Sequence, residues 1–270
     1  MKYCRFSINS QTHYGSVEDR NGELWIAALA PAPAEDLAYR LALEEAGAGN
    51  FDFAPMPLSA AKLLPPVTPS KIVCVGRNYR AHVRELGSEM PTEPLIFLKP
   101  PSSLLAPGGV VRIPAVSQRI DFEGELAVVI GRRARNLKPG TGWRDVVRGF
   151  TLANDVTARD LQNKDDQWTR AKGFDTFCPI GPIVNDELDL DAGLNIETRL
   201  NGEVRQHAST LDFIFSLSEL LVFITSIFTL EPGDLLLTGT PSGVAPLSPG
   251  DRVEVSIPGL GTLANTVETE

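Results

Sequence analysis

The sequence predicts a mixed but mainly β protein, and three observations carry this prediction. Short apolar runs that end at glycine or other turn residues recur along the chain from residue 71 onward. Glycine and proline are frequent, with 23 and 21 copies in 270 residues, as a chain with many turns requires. A single long helical pattern interrupts the strands, which does not match a regular alternation of strands and helices.

A small α+β domain is predicted at the N-terminus, at residues 1–69. Residues 3–8 and 24–29 have the pattern of short strands. Residues 34–46 have the pattern of a helix, with a proline just before it and a glycine just after it. This first part of the chain therefore combines two strands and one helix.

Five prolines between residues 55 and 69 predict an extended connector without regular pairing, because proline cannot donate a backbone hydrogen bond. We place a domain boundary there, and residues 70–270 form the second domain. A hairpin turn is predicted at Asn201-Gly202, a dipeptide that favours two-residue turns. The strands predicted in this domain are 72–76, 95–98, 125–131, 235–239 and 253–257.

The apolar stretch from Leu211 to Leu230 is predicted to be a buried helix, not a membrane span. Asp212 and Glu219 lie within it, and each carboxylate would cost a few kcal/mol in lipid. The sequence EPGD at residues 231–234 ends the helix. No membrane partner is therefore expected.

Composition and charge exclude other classes of protein. Hydrophobic residues make up 43% and charged residues 22%, as in a typical globular domain. The balance of 25 Lys and Arg against 34 Asp and Glu gives a net charge of -9, so a nucleic-acid partner is not expected. Three cysteines without a C-x-x-C pair, and no apolar signal segment near Met1, predict a protein of the reducing cytoplasm.

Two glutamates at the head of a predicted strand suggest a metal site. Glu123 and Glu125 are two residues apart, so both side chains project from the same face of the strand. Gly124 between them allows another group to approach closely. The same pattern also fits a solvated strand end with two surface glutamates.

Asp155 is a third carboxylate, at the end of the apolar run that begins at Phe150. It could instead cap a turn or a helix together with Asn154. Three carboxylates without histidine or thiolate suit a hard cation such as Mg²⁺ or Mn²⁺, which prefers oxygen ligands.

His82 and Glu85 are three residues apart, so they are neighbours if this segment is helical. A carboxylate beside an imidazole holds its tautomer and raises its basicity, as a general base requires. An exposed helix of mixed charge explains the same spacing. Lys172 is either a surface lysine or a group that attracts an anionic substrate.

The glycine-bearing turn at 238–244 follows a predicted strand, and its backbone N–H groups and hydroxyls could hold a carboxylate. The sequence contains no Walker motif, no G-x-G-x-x-G after a strand and no G-x-S-x-G. Dinucleotide binding and an α/β-hydrolase nucleophile therefore have no support.

Five motifs occur in an order that resembles the fumarylacetoacetate hydrolase family. They cover roughly residues 70–270 and are GRNYRAHVREL, DFEGELAVVIG, NDVTARD, AKGFDTFCPIGP and LLTGTPSGV. The resemblance implies a β-sandwich roll with a few helices, a small variable N-terminal domain, and a homodimer. It also implies a bound Mg²⁺ or Mn²⁺.

The resemblance carries over to three groups of site residues. The metal ligands it implies are Glu123, Glu125 and Asp155. The catalytic residues it implies are His82, Glu85 and Lys172, the first two as a pair that prepares water. The substrate-binding residues it implies are Arg77, Arg159, Gln162 and Thr240.

The activity that the resemblance implies is cleavage of a C–C bond in a small anionic 2-oxo acid, such as an acylpyruvate or a fumarylpyruvate-like compound. Chelation of the acid by the metal would stabilise the departing pyruvate enolate. Oxaloacetate decarboxylation, keto–enol tautomerisation and hydroxy-dienedioate isomerisation use the same enolate and stay open. A ligand-binding member without activity is a further alternative.

Overall fold

The structure of the protein is a computed structural model that describes residues 1–33, 36 and 53–270. The helix predicted at residues 34–46 lies outside the described residues, except for Asp36. The described part of the chain contains four α-helices, which are α1 Arg80–Glu85, α2 Arg159–Lys164, α3 Thr169–Lys172 and α4 Leu217–Ile227.

Strands predominate over helices in the described chain, which confirms the prediction of a mainly β protein with few helices. The first ten strands are β1 Lys2–Ile8, β2 Gln11–Arg20, β3 Glu23–Ala30, β4 Met56–Pro57, β5 Lys62–Leu64, β6 Ile72–Gly76, β7 Leu95–Lys99, β8 Leu104–Leu105, β9 Val110–Ile113 and β10 Ile120–Phe122. The others are β11 Gly124–Ile130, β12 Val147–Asn154, β13 Thr157–Ala158, β14 Cys178–Asn185, β15 Asn195–Leu200, β16 Glu203–Ser209, β17 Leu235–Leu237, β18 Ala245–Leu247, β19 Arg252–Ile257 and β20 Gly261–Thr269.

These strands form one large sheet and two smaller ones. The large sheet has the order β4-β3-β2-β1-β14-β12-β11-β17-β6-β7, with β5 also paired to β1 and β8 also paired to β14. A five-stranded sheet has the order β16-β15-β19-β20-β9, and a three-stranded sheet has the order β13-β10-β18. Strands β11 and β12 thus lie in the interior of the large sheet.

Strand β11 is buried on both faces, as its nearly continuous apolar sequence predicts. Leu126 and Val128 belong to a core cluster that also contains Val255 of β19, so the five-stranded sheet packs on this face. Ala127 belongs to a second cluster, with Cys74 of β6. Each fully buried aliphatic side chain contributes about 1.5–3 kcal/mol, which makes β11 a rigid support for the residues at its start.

The N-terminal strands extend the large sheet. Lys2 of β1 pairs with Asn185 of β14 in antiparallel register. The expectation that the proline-rich connector lacks regular pairing is wrong for two short pieces, Met56–Pro57 and Lys62–Leu64, which pair with β3 and β1. Lys62–Leu64 contains no proline, so its N–H groups are available, and β4 is a two-residue edge strand. The domain boundary at residues 69 and 70 stays a prediction.

The predicted hairpin turn is confirmed at Asn201-Gly202. Leu200 of β15 pairs with Glu203 of β16 across it. The φ angles of Asn201 and Gly202 are 54° and 84°, the left-handed values that this two-residue turn requires at both positions.

Helix α4 is shorter than the predicted helix at 211–230. Ser216 caps it and forms a capping box with Glu219, so the helix begins only at Leu217. Leu211 lies before this cap and is 63% exposed. The helix ends at Ile227 because Phe228 is extended, and its apolar face packs into the first core cluster. Across the described ranges, no helix has both the length and the hydropathy that spanning a bilayer demands.

We expect Ser216→Ala to lower the free energy of unfolding by about 1 kcal/mol, because the first turn of α4 loses its cap. Ser218→Ala, inside the same helix, is the matched control and should change the free energy by less than half as much. Urea unfolding of the three proteins measures both values. Equal effects of the two substitutions would contradict the capping role.

Candidate active site

Three buried carboxylates meet where two central strands of the large sheet adjoin, at the start of β11 and the end of β12. Glu123 lies in the break between β10 and β11, Glu125 is the second residue of β11, and Asp155 follows β12 directly. Strands β11 and β12 are antiparallel, with Gly124 opposite Asn154, so the start of one strand meets the end of the other. One ligand atom from each of the three carboxylates lies within 4.8 Å of the other two.

Backbone contacts hold the two acidic segments together. The Asp155 N–H donates to the Glu123 carbonyl oxygen at 2.8 Å. The Glu123 N–H donates to Asn154 Oδ1 at 2.9 Å. A backbone hydrogen bond and the buried Asn154 side chain therefore hold the two acidic segments together. The alternative of a solvated strand end does not apply, since Glu123 and Glu125 are both buried.

Two buried lysines face the carboxylates. Lys172 Nζ lies 2.8 Å from Glu123 Oε2 and 2.6 Å from Asp155 Oδ2, so it is not a surface lysine. Lys99 Nζ lies 2.7 Å from the other oxygen of Asp155 and 3.2 Å from the Val156 carbonyl oxygen. The sequence analysis missed Lys99, although a lysine that ends an apolar strand was a visible signal.

The surrounding charges shift the pKa values of Glu123 and Glu125 in opposite directions. Burial and the neighbouring Asp155 and Glu123 raise the pKa of Glu125 well above its ordinary value. Burial also opposes ionisation of Glu123, but the charges of Lys172 and Arg159 outweigh it and lower that pKa. Burial disfavours the charged form of Lys172, yet Asp155 and Glu123 raise its pKa above the ordinary value. Within the described chain, Glu125 is the ligand candidate that no lysine or arginine pairs with.

This donor set fits the ion that the family resemblance implies. Three convergent carboxylates provide hard oxygen ligands, as Mg²⁺ and Mn²⁺ prefer, and leave other coordination positions for water or substrate. The carboxylate of Glu125 gains least from the protein's own cations, so an added divalent cation would stabilise its charged form.

The pair His82 and Glu85 lies on α1. His82 Nδ1 is 3.0 Å from Glu85 Oε2, and the Gly243 N–H donates to Glu85 Oε1 at 2.9 Å. His82 is buried, whereas Arg80 and Arg84 of the same helix are exposed. The helix thus has a solvated face, as the alternative interpretation requires, but His82 lies on the other face.

A cavity of about 250 Å³ contains these groups. Glu85 lies outside its lining, behind His82. The predicted site residues that line the cavity are Arg77, His82, Glu123, Glu125, Asp155, Arg159, Gln162, Lys172 and Thr240. Nine of the ten predicted residues thus line one cavity, and the tenth, Glu85, contacts His82. Their individual roles stay predictions.

Aromatic side chains form a wall of the cavity that the sequence analysis did not identify. Phe97 and Trp168 pack edge to face, with ring centroids 5.2 Å apart. Lys172 Nζ lies 5.0 Å from the centroid of the Phe97 ring. Phe97 occurs in a predicted strand and Trp168 in a polar segment, so neither pattern alone indicated a site.

Arg159 forms ion pairs with two carboxylates of the protein. Its guanidinium bonds Asp121 Oδ2 at 2.9 Å and also contacts Glu123 and Gln162. Arg77 has a φ of 59°, a left-handed conformation that is uncommon outside glycine and is often found at functional sites. The Thr240 hydroxyl donates to the Gly124 carbonyl oxygen at 2.9 Å.

Sequence comparisons agree with this geometry. Residues 71–268 match the family described as Fumarylacetoacetate (FAA) hydrolase C-terminal. Protein Rv2993c of Mycobacterium tuberculosis is 46% identical over 269 residues, which cover 99% of this chain and 98% of that protein. The mitochondrial oxaloacetate decarboxylase of Dictyostelium discoideum is 46% identical over 201 residues, which cover 72% of this chain and 92% of that protein.

The fold is shared with solved structures. The 2-hydroxyhepta-2,4-diene-1,7-dioate isomerase of Mycobacterium marinum superposes with a TM-score of 0.84 at 39% identity, over 100% of this chain and 99% of that one. The family match covers more than half of the chain, and it includes every carboxylate and lysine of the cluster described above. The chain therefore belongs to the fumarylacetoacetate hydrolase family.

Proposed function

We propose that this protein is a divalent-metal-dependent enzyme that cleaves a C–C bond in a short 2-oxo acid of the acylpyruvate type. One observation carries the proposal: His82, which pairs with Glu85, lines the same cavity as the three carboxylates. A general base and a set of metal ligands in one cavity support hydrolysis, because hydrolysis needs both an activated water and a stabilised leaving group.

The roles of the residues follow from their contacts. Glu123, Glu125 and Asp155 would hold Mg²⁺ or Mn²⁺, which when bound would act as a Lewis acid toward the 2-oxo acid. Lys172 touches two of the three carboxylates and lines the cavity, so its positive charge also acts on a bound anion and on charge that develops there.

The proton transfer falls to His82. When Nδ1 carries the proton of the neutral imidazole, it donates to Glu85 Oε2. The other ring nitrogen, Nε2, is then available to take a proton from water. The Gly243 N–H holds the second oxygen of Glu85, which fixes the orientation of the pair. His82 takes a proton from water, and the resulting hydroxide attacks the distal carbonyl carbon. The C–C bond then breaks, the acyl part leaves as a carboxylic acid, and the pyruvate enolate takes up the proton from His82 at C3 to give pyruvate.

The cavity supports a compact substrate. Its volume of about 250 Å³ suits a short acid, and the Phe97–Trp168 wall limits it on one side. The cationic side chains of the lining, Arg77, Arg159 and Lys172, together with a bound Mg²⁺ or Mn²⁺, would favour an anion over a neutral compound.

A second candidate is decarboxylation or tautomerisation of oxaloacetate in the same cavity. The similarity to a relative named oxaloacetate decarboxylase favours it. The solved isomerase keeps hydroxy-dienedioate isomerisation open in the same way. These reactions share the enolate with hydrolysis, and tautomerisation and isomerisation differ from hydrolysis because they need no activated water. The homodimer that the family resemblance implies and the cytoplasmic location that the cysteine pattern predicts stay predictions.

The test of the proposal is to incubate the protein with acetylpyruvate and Mg²⁺ or Mn²⁺ and to follow the ultraviolet absorbance of the enol. We expect loss of absorbance with stoichiometric pyruvate and acetate, and no loss with EDTA. Oxaloacetate is assayed in parallel by pyruvate formation, with a metal-only control for its spontaneous decay. Turnover of oxaloacetate without turnover of acetylpyruvate would replace the first candidate by the second.

We expect His82→Ala to lower hydrolysis of acetylpyruvate by a factor of ~100 or more, the usual scale for loss of a general base. Enolisation without water attack, measured by deuterium exchange at C3 of pyruvate in D₂O, should change less. His207→Ala is the matched control, since His207 is exposed on β16 and lies outside the cavity. Hydrolysis at the normal rate in the His82 variant would contradict the assigned role.

We expect Glu125→Gln to weaken Mn²⁺ binding by about 10-fold or more, because one anionic ligand is lost. The amide resembles the neutral carboxyl, which the raised pKa of Glu125 favours in the metal-free protein, so the free energy of unfolding should hold. Mn²⁺ titration followed by electron paramagnetic resonance measures the affinity without any turnover. Glu203→Gln, on an exposed position of β16, is the control. Unchanged Mn²⁺ affinity in the Glu125 variant would exclude Glu125 as a ligand.

A further inference from the structure

The side-chain amide of Gln206 joins two segments of the site from a different sheet. Gln206 lies on β16 of the five-stranded sheet and is fully buried. Its Oε1 accepts from the Gly124 N–H at 3.0 Å. Its Nε2 donates to Thr240 Oγ1 and to the Pro241 carbonyl oxygen, both at 2.8 Å. The amide thus connects the Glu123–Glu125 segment to the turn that follows β17.

Thr240 closes this set of contacts into a ring. Its hydroxyl accepts from Gln206 and donates to the Gly124 carbonyl oxygen at 2.9 Å. Gly124 therefore has both its N–H and its carbonyl oxygen held by side chains, and it is the residue between Glu123 and Glu125. We call these contacts of Gly124, Gln206 and Thr240 the hydrogen-bond ring.

The ring requires glycine at position 124. A Cβ atom built there would lie 2.1 Å from Thr198 Oγ1 and 3.2 Å from Gln206 Oε1. Thr198 is the cross-strand partner of Gln206 on β15, and it is fully buried. The five-stranded sheet therefore approaches the backbone of the metal-ligand segment so closely that no side chain fits between them.

The Thr240 hydroxyl has one hydrogen, and that hydrogen lies in the bond to the Gly124 carbonyl oxygen. A carboxylate is an acceptor only, so the hydroxyl cannot donate to a substrate carboxylate while the ring is intact. The family resemblance suggests that this residue holds that carboxylate. While the ring is intact, any contact with that carboxylate falls to a donor other than the Thr240 hydroxyl.

We propose that Gln206 and the Thr240 hydroxyl are positioning residues that hold Glu123 and Glu125 in the arrangement that binds the metal. In this role the Thr240 hydroxyl does not bind substrate. The proposal rests on the metal site of the proposed function. Residues that orient metal ligands typically change metal affinity by about 10- to 100-fold when they are removed.

The test compares Thr240→Val with Thr240→Ser. Valine keeps the size of the side chain and the backbone N–H, but it opens the ring, whereas serine keeps the hydroxyl. We expect the Mn²⁺ dissociation constant, measured without substrate, to rise about 10-fold in the valine variant and to stay within about threefold of the unchanged protein in the serine variant. Thr262→Val, at an exposed position on β20, is the control.

A substrate-binding hydroxyl predicts the opposite result. In that case the valine variant would bind Mn²⁺ normally, and only the KM for acetylpyruvate would rise. This result would overturn the proposal. Failure of the unchanged protein to bind Mn²⁺ would instead refute the metal site of the proposed function, and the positioning role would fail with it.

Gln206→Leu tests the other half of the ring. Both residues act through Gly124. The Mn²⁺ dissociation constant of the double variant, Gln206→Leu with Thr240→Val, should therefore stay within about threefold of the larger of the two single-variant values. If the fold-change of the double variant equals the product of the two single fold-changes, the two residues act independently, and this result would overturn the proposal. Thermal unfolding in EDTA checks that each variant folds. If Gln206→Leu does not fold, the Thr240 pair decides the question alone.

Discussion

The antiparallel pairing of β11 with β12 is the constraint on which the site depends. It sets Gly124 opposite Asn154, and this register brings Glu123 and Glu125 next to Asp155. A shift by one residue would turn every side chain of β11 to the other face, so the core packing of β11 also protects the site. One strand register therefore sets both the apolar core of the sheet and the position of the acidic residues at the ends of β11 and β12.

Burial of charge is the cost of this arrangement, and the cluster offsets it in a specific way. Lys99 and Lys172 each bond one oxygen of Asp155, and Lys172 also bonds Glu123. Glu125 is left with a raised pKa and a single backbone donor, the Gly239 N–H at 2.7 Å. Among the described residues, lysine and arginine side chains thus balance two of the carboxylates but not Glu125, so an added cation would stabilise the charged form of this third carboxylate.

Much of the fold and the site could be predicted from particular residues. The apolar run after Gly124 predicted an interior strand, Asn201-Gly202 predicted a hairpin, and the spacing of His82 and Glu85 predicted their contact. These features depend on local rules of periodicity and turn geometry. The extent of α4 was predicted poorly, because a capping box overrides the apolar pattern at residues 211–216.

The strand-rich fold class and the acidic and basic residues of the site are readable from the sequence alone, because periodicity and ordered motifs are local properties. Which distant groups meet at the site depends on how the chain folds. Lys99, Trp168 and Gln206 belong to segments far apart in the chain, and their side chains reach the site only after three sheets pack together. Contacts between residues so far apart in the chain produce no recognisable spacing in the sequence. Their partners are therefore known only from the folded structure.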